Sequence, residues 1–280
     1  MTNSDILRCL QSVFPRVEWK PDELTSFLKT IGLANPAGVV YNEREKKMYE
    51  VIYFSGHIVR CLENMTRRRD VTLLDCGCGR SYLPFFVNYV AKTMRRSMRY
   101  VGVDSNAVLV ERSTKIRDEL CWTNMEFHKS SIVGFVPEVD VNIVCALHAC
   151  DTATDEAIAR GVQLGARYIV VAPCCQRQIL GQLGQTAKNV RPMRPLLEKK
   201  VSKECVGVAL TETLRRLAME SFGYRVDVFE FVSSRYTPKN IMLRAEKMRN
   251  RNRESLDAYR SLRDHFNVKP IIQEYLARLQ

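Results

Sequence analysis

The clearest hydrophobic signal in the chain is the apolar run Val71-Thr-Leu-Leu-Asp75-Cys, which turns abruptly at Gly77-Cys-Gly79-Arg-Ser and then changes period. A short run without polar alternation is the pattern of a strand buried on both faces. After the glycines, Leu83, Phe86, Val87, Val90 and Met94 recur at spacings of three and four, and Pro84 falls in the first turn, where a missing N–H costs little. The pattern predicts strand, glycine loop and helix, the opening unit of an open α/β fold.

The same reading gives further strands at Met98–Asp104, from Met125 into a loop at Ser130 and Ser131, at Val139–Leu147 and at Gly165–Ala172. Tyr224–Val232 and Asn240–Ala245 complete the set, expected antiparallel to each other. Three helical stretches precede the first strand: Ile6, Leu7, Leu10 and Val13; a helix opening at Pro21-Asp-Glu; and one capped by Asn42, with Met48, Val51, Ile52, Phe54, Ile58 and Leu62 as its apolar side. A helix is expected from a cap at Thr152 or Thr154, and another over Val208–Met219. Leu256, Tyr259, Leu262 and Phe266 form a stripe near the end, followed by a tail from Ile271 to Leu279. Gln178–Lys203 loses strand character and gains Arg191, Arg194, Lys199, Lys200 and Lys203, which reads as an insertion.

Composition narrows the partners. With 46% apolar residues among 280 the chain can bury a large core, and no apolar run approaches the ~20 residues of a membrane span, so no membrane partner is expected. Ten cysteines without a secretory signal point to a reducing compartment, the cytoplasm first and the mitochondrion second, since Arg8 and Arg16 suit a presequence and Asp5 does not. A net charge of +12, with the run Lys247, Arg249, Arg251 and Arg253, suits a polyanion such as RNA, while Arg67-Arg68-Arg69 before the first strand reads as a solvated boundary.

The glycine loop carries the candidate chemistry. A dinucleotide fingerprint wants a third glycine where Tyr82 stands. Asp75, two residues before Gly77, repels a pyrophosphate and suits a cationic ligand, and S-adenosylmethionine carries a sulfonium and an ammonium. Its carboxylate and ribose can meet the bare backbone of Gly77, Cys78 and Gly79. Asp104, ending the second strand, is placed for the ribose hydroxyls, or alternatively to cap the helix beginning near Asn106. Ser131 and Leu147 complete the expected cofactor set.

Strand ends deliver His148, Cys150, Asp151, Cys174 and Cys175. His148 is the candidate general base, since histidine titrates near working pH, with Asp151 to orient it or the acceptor; a structural ring bonded to backbone is the other reading. Cys174 or Cys175 with Asp151 as partner is an alternative pair for thiolate attack on a pyrimidine. No C-x-x-C spacing occurs among these cysteines, so no metal is expected and small buried thiols are the favoured reading.

Asp75-Cys-Gly-Cys-Gly-Arg-Ser, Leu147-His-Ala-Cys-Asp-Thr-Ala-Thr-Asp155, Ala172-Pro-Cys-Cys-Gln176 and Thr237-Pro-Lys-Asn240 together resemble the methyltransferase domain shared by methyltransferase-like protein 25 and its bacterial relatives. The L-H-A-C-D and P-C-C pair is also similar to the tRNA acceptor-stem 2′-O-methyltransferases. The resemblance implies a Rossmann-like class I methyltransferase with a seven-stranded, mostly parallel sheet, S-adenosylmethionine as cofactor and RNA as a plausible acceptor; the alternatives are a side chain of a ribosomal or RNA-binding protein as acceptor, or a methyltransferase fold kept as a non-catalytic assembly factor. It divides the chain into an N-terminal helical region at 1–66, a methyltransferase domain at 67–248 and a basic helical tail at 249–280. Two departures stand out: Gln176 and Arg177 replace the histidine pair that often follows P-C-C in the tRNA enzymes, and Ser130 and Ser131 replace the acid that often flanks the adenine.

Overall fold

The computed structural model describes residues 3–40, 42–66, 70–189, 191–248 and 252–277. Among them lie seven strands: β1 (Val71–Cys76), β2 (Met98–Asp104), β3 (Met125–Lys129), β4 (Ile143–Leu147), β5 (Tyr168–Ala172), β6 (Tyr224–Glu230) and β7 (Ile241–Lys247). They form one sheet in the order β3-β2-β1-β4-β5-β7-β6. The chain divides into two compact units, Met1–Asn142 with Glu230–Asn240, and Ile143–Phe229 with Ile241–Gln280.

The first unit holds β1, β2 and β3 in parallel register, Asp75 opposite Gly102 and Gly102 opposite Phe127. Helices α1 (Asn3–Val13), α2 (Pro21–Thr30), α3 (Asn42–Glu63), α4 (Tyr82–Thr93) and α5 (Ala107–Glu119) belong to it. Proline opens α2, as its fixed φ favours. All six apolar positions expected along α3 are buried, which at about 1.5–3 kcal/mol per large apolar side chain anchors this helix firmly against α4. Asn42 lies inside α3. Phe27 stacks on Tyr89 of α4 at 4.4 Å, and Phe14 meets Phe86 at 6.4 Å, so the N-terminal helices share the core of this unit. The segment after β6 returns here: Tyr236 stacks on Tyr49 at 3.7 Å, and Asn240 Nδ2 donates to the Val232 carbonyl at 3.0 Å. Thr237-Pro-Lys-Asn240 thus builds a tight connection, with Lys239 N donating to Thr237 Oγ1 at 3.2 Å.

In the second unit β4 and β5 are parallel, every residue of both is buried, and β7 runs antiparallel to β5. Its helices are α6 (Thr152–Gln163), α7 (Arg177–Asn189), α8 (Arg194–Leu197), α9 (Lys200–Ser221), α10 (Arg253–Phe266) and α11 (Ile272–Tyr275). β4 starts later than expected. Asn142 bonds Thr72 through both its backbone and its side chain, at 3.0 and 2.9 Å, which diverts 139–142 from a regular strand. β5 also starts later, because Gly165 (φ +63°) and Ala166 close the end of α6 by donating to Val162 and Gly161.

The stretch read as an insertion folds instead as α7, a single 3-10 turn at Arg191–Met193, α8 and the start of α9. The basic stretches separate. Lys199 and Lys200 are exposed at the start of α9. Ser255, at the start of α10, donates to Glu220 at the other end of α9, about 30 Å away at 1.5 Å per residue. Leu256 and Tyr259 are buried, and Leu262 and Phe266 only half-buried. Arg67, Arg68, Arg69, Arg249 and Arg251, and the tail from residue 278, lie outside the described residues. No helix among the described residues is long and apolar enough to cross a membrane.

Candidate functional site

The glycine loop is built from backbone. Gly77 N and Cys78 N both donate to the Val103 carbonyl of β2, at 2.8 and 3.0 Å. Gly77 (φ +72°) and Gly79 (φ +55°) take left-handed conformations that a side chain would strain. A Cβ placed on Gly79 would meet nothing nearer than the Gly77 carbonyl at 4.0 Å, so this face of the loop is open.

Asp104 holds the loop in place. Its Oδ2 accepts from Gly79 N at 2.8 Å and its Oδ1 from Asn106 N at 2.8 Å. The cap of α5 is Asn106, whose side chain accepts from Val108 N and Leu109 N. That releases Asp104 from the capping role considered for it. Asp75 is buried at the end of β1. Burial first, then the charge of Asp75, pushes the Cys78 thiol far up, so it stays protonated. Ser131 is exposed and its Oγ accepts from Gly134 N at 3.1 Å, a local turn.

Tyr82, the residue that breaks the dinucleotide fingerprint, points to the N-terminal helices. Its hydroxyl donates to the Gly32 carbonyl at 3.5 Å, and the Arg112 guanidinium lies 5.7 Å from its ring. Arg112 also donates to the carbonyls of Arg80 (3.0 Å) and Ile31 (2.7 Å). A ligand holding ribose, carboxylate and ammonium groups fits these residues: a clamped acid at the end of β2, a buried acid at the end of β1 and a side-chain-free loop face between them.

In the second unit, Leu147 ends β4 and His148 continues the ladder, its N donating to the Ala172 carbonyl at 3.1 Å. His148 (φ +64°) and Asp151 (φ +52°) both occupy the left-handed region, a strain that non-glycine residues keep only where surrounding contacts enforce it. Asp151 accepts at Oδ1 from Gln178 N (3.2 Å), at the start of α7, and its carbonyl accepts from Arg215 (3.0 Å). Asp151 therefore ties loops together, in addition to the orienting role that the sequence reading gave it. Neither Thr152 nor Thr154 caps α6: Asp151 occupies the cap position, and Thr154 Oγ1 donates to the Ala149 carbonyl at 2.6 Å.

The structure brings Cys150, Cys174 and Cys175 together, with Sγ–Sγ distances of 3.4 Å for Cys150–Cys174 and 3.7 Å for Cys174–Cys175. Burial, followed by the neighbouring thiols, pushes Cys174 up to about 12, which disfavours a free thiolate nucleophile at neutral pH.

Sequence reasoning missed the buried charge cluster beneath these loops. Arg215, fully buried on α9, forks onto Asp155 at 3.1 and 2.7 Å and donates to Glu212 at 3.0 Å. Burial opposes its charge, yet Asp155 and Glu212 beside it push its pKa further up. Burial pushes the Glu212 carboxyl up against the pull of Arg215 and Gln176. Gln176 Nε2 donates to Glu212 at 2.9 Å, so the residue standing in the histidine-pair position joins this cluster. The signal was available: an arginine among Leu210, Leu214, Leu217 and Ala218 on one helix face demands a buried acid.

Residues 46–182 match the family model described as a methyltransferase domain. The chain is 26% identical over 183 residues, 56% of its length, to the glutathione S-transferase C-terminal domain-containing proteins of Mus musculus and Homo sapiens, and spans only 27% and 28% of theirs. Among solved structures it is similar to the magnesium protoporphyrin IX methyltransferase of Synechocystis PCC 6803, solved with SAH bound, at 16% identity and a TM-score of 0.47 over 81% of this chain and 94% of that one. The strand order and the matched segment define a class I, Rossmann-like methyltransferase fold, the class whose cofactor is S-adenosylmethionine. The matched segment covers just under half of the chain and begins inside α3, twenty-five residues before β1 opens at Val71.

Proposed function

We propose that the protein is an S-adenosylmethionine-dependent methyltransferase whose acceptor is RNA. The observation that carries the cofactor reading is the Gly77–Gly79 loop, held by the Asp104 carboxylate with its Gly79 face open. S-adenosylmethionine supplies a methyl group already activated on a sulfonium, so the protein's main task is alignment. Asp104 would accept from the ribose hydroxyls through lone pairs its two backbone bonds leave unused, Asp75 would favour the ammonium, and the loop amides would border the adenosyl group. His148 is the candidate acceptor of the proton from a hydroxyl or amine, and Asp151 with Arg215 fixes its loop. The net charge of +12 and the exposed Arg194, Lys199 and Lys200 support RNA, since phosphates reward clustered cations. The free cysteines support a cytoplasmic location.

The test is methyl transfer from labelled S-adenosylmethionine into a cell extract. Label lost to ribonuclease and resistant to protease is the expected result; the reverse would move the acceptor to protein. Calorimetry with SAH should show binding that Asp75→Ala and Asp104→Ala abolish, and unchanged affinity in both would overturn the cofactor site.

A further inference from the structure

Three thiols converge in the second unit from two different loops, although no cysteine spacing in the sequence suggests it. Cys150 comes from the turn after β4, Cys174 and Cys175 from the turn after β5, and their sulfurs all lie within 4.8 Å of one another. We propose that Cys150, Cys174 and Cys175 form a binding site for one thiophilic cation, Zn2+, held by three thiolates with its fourth position left to solvent.

The distances suit that ion. A tetrahedral zinc with Zn–S bonds of about 2.3 Å sets its sulfurs about 3.8 Å apart. The two measured pairs stand at 3.4 and 3.7 Å. Three protein ligands with an open fourth place is the arrangement of sites that keep a water or accept a further ligand.

The loops are fixed independently of the thiols. Asp151 accepts from Gln178 N, which joins the Cys150 turn to the start of α7 just after Cys175. Arg215 donates to the Asp151 carbonyl from below, and Gln176 donates to Glu212 in the same buried cluster. Left-handed residues at 148 and 151 stand on either side of Cys150. The sulfurs are therefore gathered before any ion arrives, which lowers the entropic cost of assembling the site. Cys150 is exposed and the other two are half-buried, which gives an ion a path in. Binding releases the three thiol protons to solvent, so the bound form is one Zn2+ and three thiolates with a net charge of −1. The ion would brace the turn carrying His148 against the turn after β5.

The test uses the reduced 280-residue chain under anaerobic conditions, titrated with Cd2+ as a spectroscopic probe and competed with Zn2+. The expected result is an ultraviolet thiolate-to-cadmium charge-transfer band that saturates at one equivalent with the intensity of three thiolates and is displaced by Zn2+. Cys150→Ser and Cys174→Ser should each weaken binding at least about tenfold. Cys121→Ser and Cys205→Ser, which alter exposed cysteines outside the cluster, should change nothing. Circular dichroism establishes that each variant is folded. A band indifferent to Cys150→Ser, the absence of any one-equivalent band, or a Cys150–Cys174 disulfide in the anaerobic protein, seen as a loss of two hydrogens by mass, would overturn the proposal. None of these readouts depends on methyl transfer, so the site stands or falls apart from the proposed activity.

Discussion

The amide of Gly79 donates to Oδ2 of Asp104 at 2.8 Å, joining the glycine loop to the end of the neighbouring strand. With the other oxygen engaged by Asn106 N, this carboxylate has a structural task as well as a proposed one in ligand binding. Asp104→Asn places an amide NH2 against one of two backbone N–H donors. It should cost about 1–3 kcal/mol of stability, the penalty for a polar group left without its partner. Urea unfolding would measure that cost, and SAH affinity by calorimetry should fall with it. Wild-type values on both counts would show that the loop is held by something else.

Two glycines near this loop should respond differently to alanine. At Gly102 a Cβ would stand 2.6 Å from Phe127 Cδ1 and 3.1 Å from Cys78 Sγ, so Gly102→Ala forces apart packed neighbours and should lower stability by about 1–3 kcal/mol. At Gly79 the space is open and the cost is the left-handed backbone, about 1–2 kcal/mol. Gly79→Ala should instead lose SAH affinity out of proportion to its stability. Thermal unfolding and calorimetry on the pair separate the two effects.

Arg215 and Asp155 form a bidentate pair with almost no solvent exposure, 2% and 9% for the two side chains. Removing one partner strands a buried charge, so Arg215→Met and Asp155→Ala should each destabilise by about 3–5 kcal/mol. The double variant should be less than additive, because neither member of this pair is left buried without the other, although Glu212 still loses its bond from Arg215. Additive losses in denaturant unfolding would show that the pair does not act as a unit.

Glu212 offers a pH signature. Burial raises its carboxyl pKa above the ordinary carboxylate value, and its Oε2 has no hydrogen-bond partner. A group raised on folding contributes stability that is full below its unfolded pKa and declines as pH climbs through the folded value. Glu212→Gln removes the titrating charge. Its stability relative to wild type should therefore improve as pH rises from about 4 toward neutral. Unfolding midpoints measured across that range check the sign, and a difference independent of pH would contradict it.

Much of this architecture was legible because its signals are local. The β1 run, the two glycines and the α4 stripe each announce themselves within a few residues, and the α3 positions from Met48 to Leu62 are all buried as their spacing implies. What stayed hidden was long-range. The tie between Asp151 and α7 is invisible until Gln178 N is seen donating to it. Gln176 reads as a departure from a motif until Glu212 appears beneath it, thirty-six residues later. Cys150 and Cys174 are twenty-four positions apart, and only the two strand ends that carry them bring their sulfurs to 3.4 Å. The stretch 178–203 misled for another reason: Arg194, Lys199 and Lys200 are exposed, while Ile179, Leu183 and Leu197 supply a sparse apolar side easily overlooked among them.

Arg112 reaches from α5 to the carbonyls of both Arg80, in the glycine loop, and Ile31, just after α2, while Arg44 donates to Gly32 at 2.5 Å. The opening helices are thereby wired to the turn that would cradle the donor. Anyone trimming this polypeptide to begin at its first strand would strand a guanidinium, bare the rings of Phe86 and Tyr89, and obtain a fragment whose failure to bind would say nothing about the untrimmed chain.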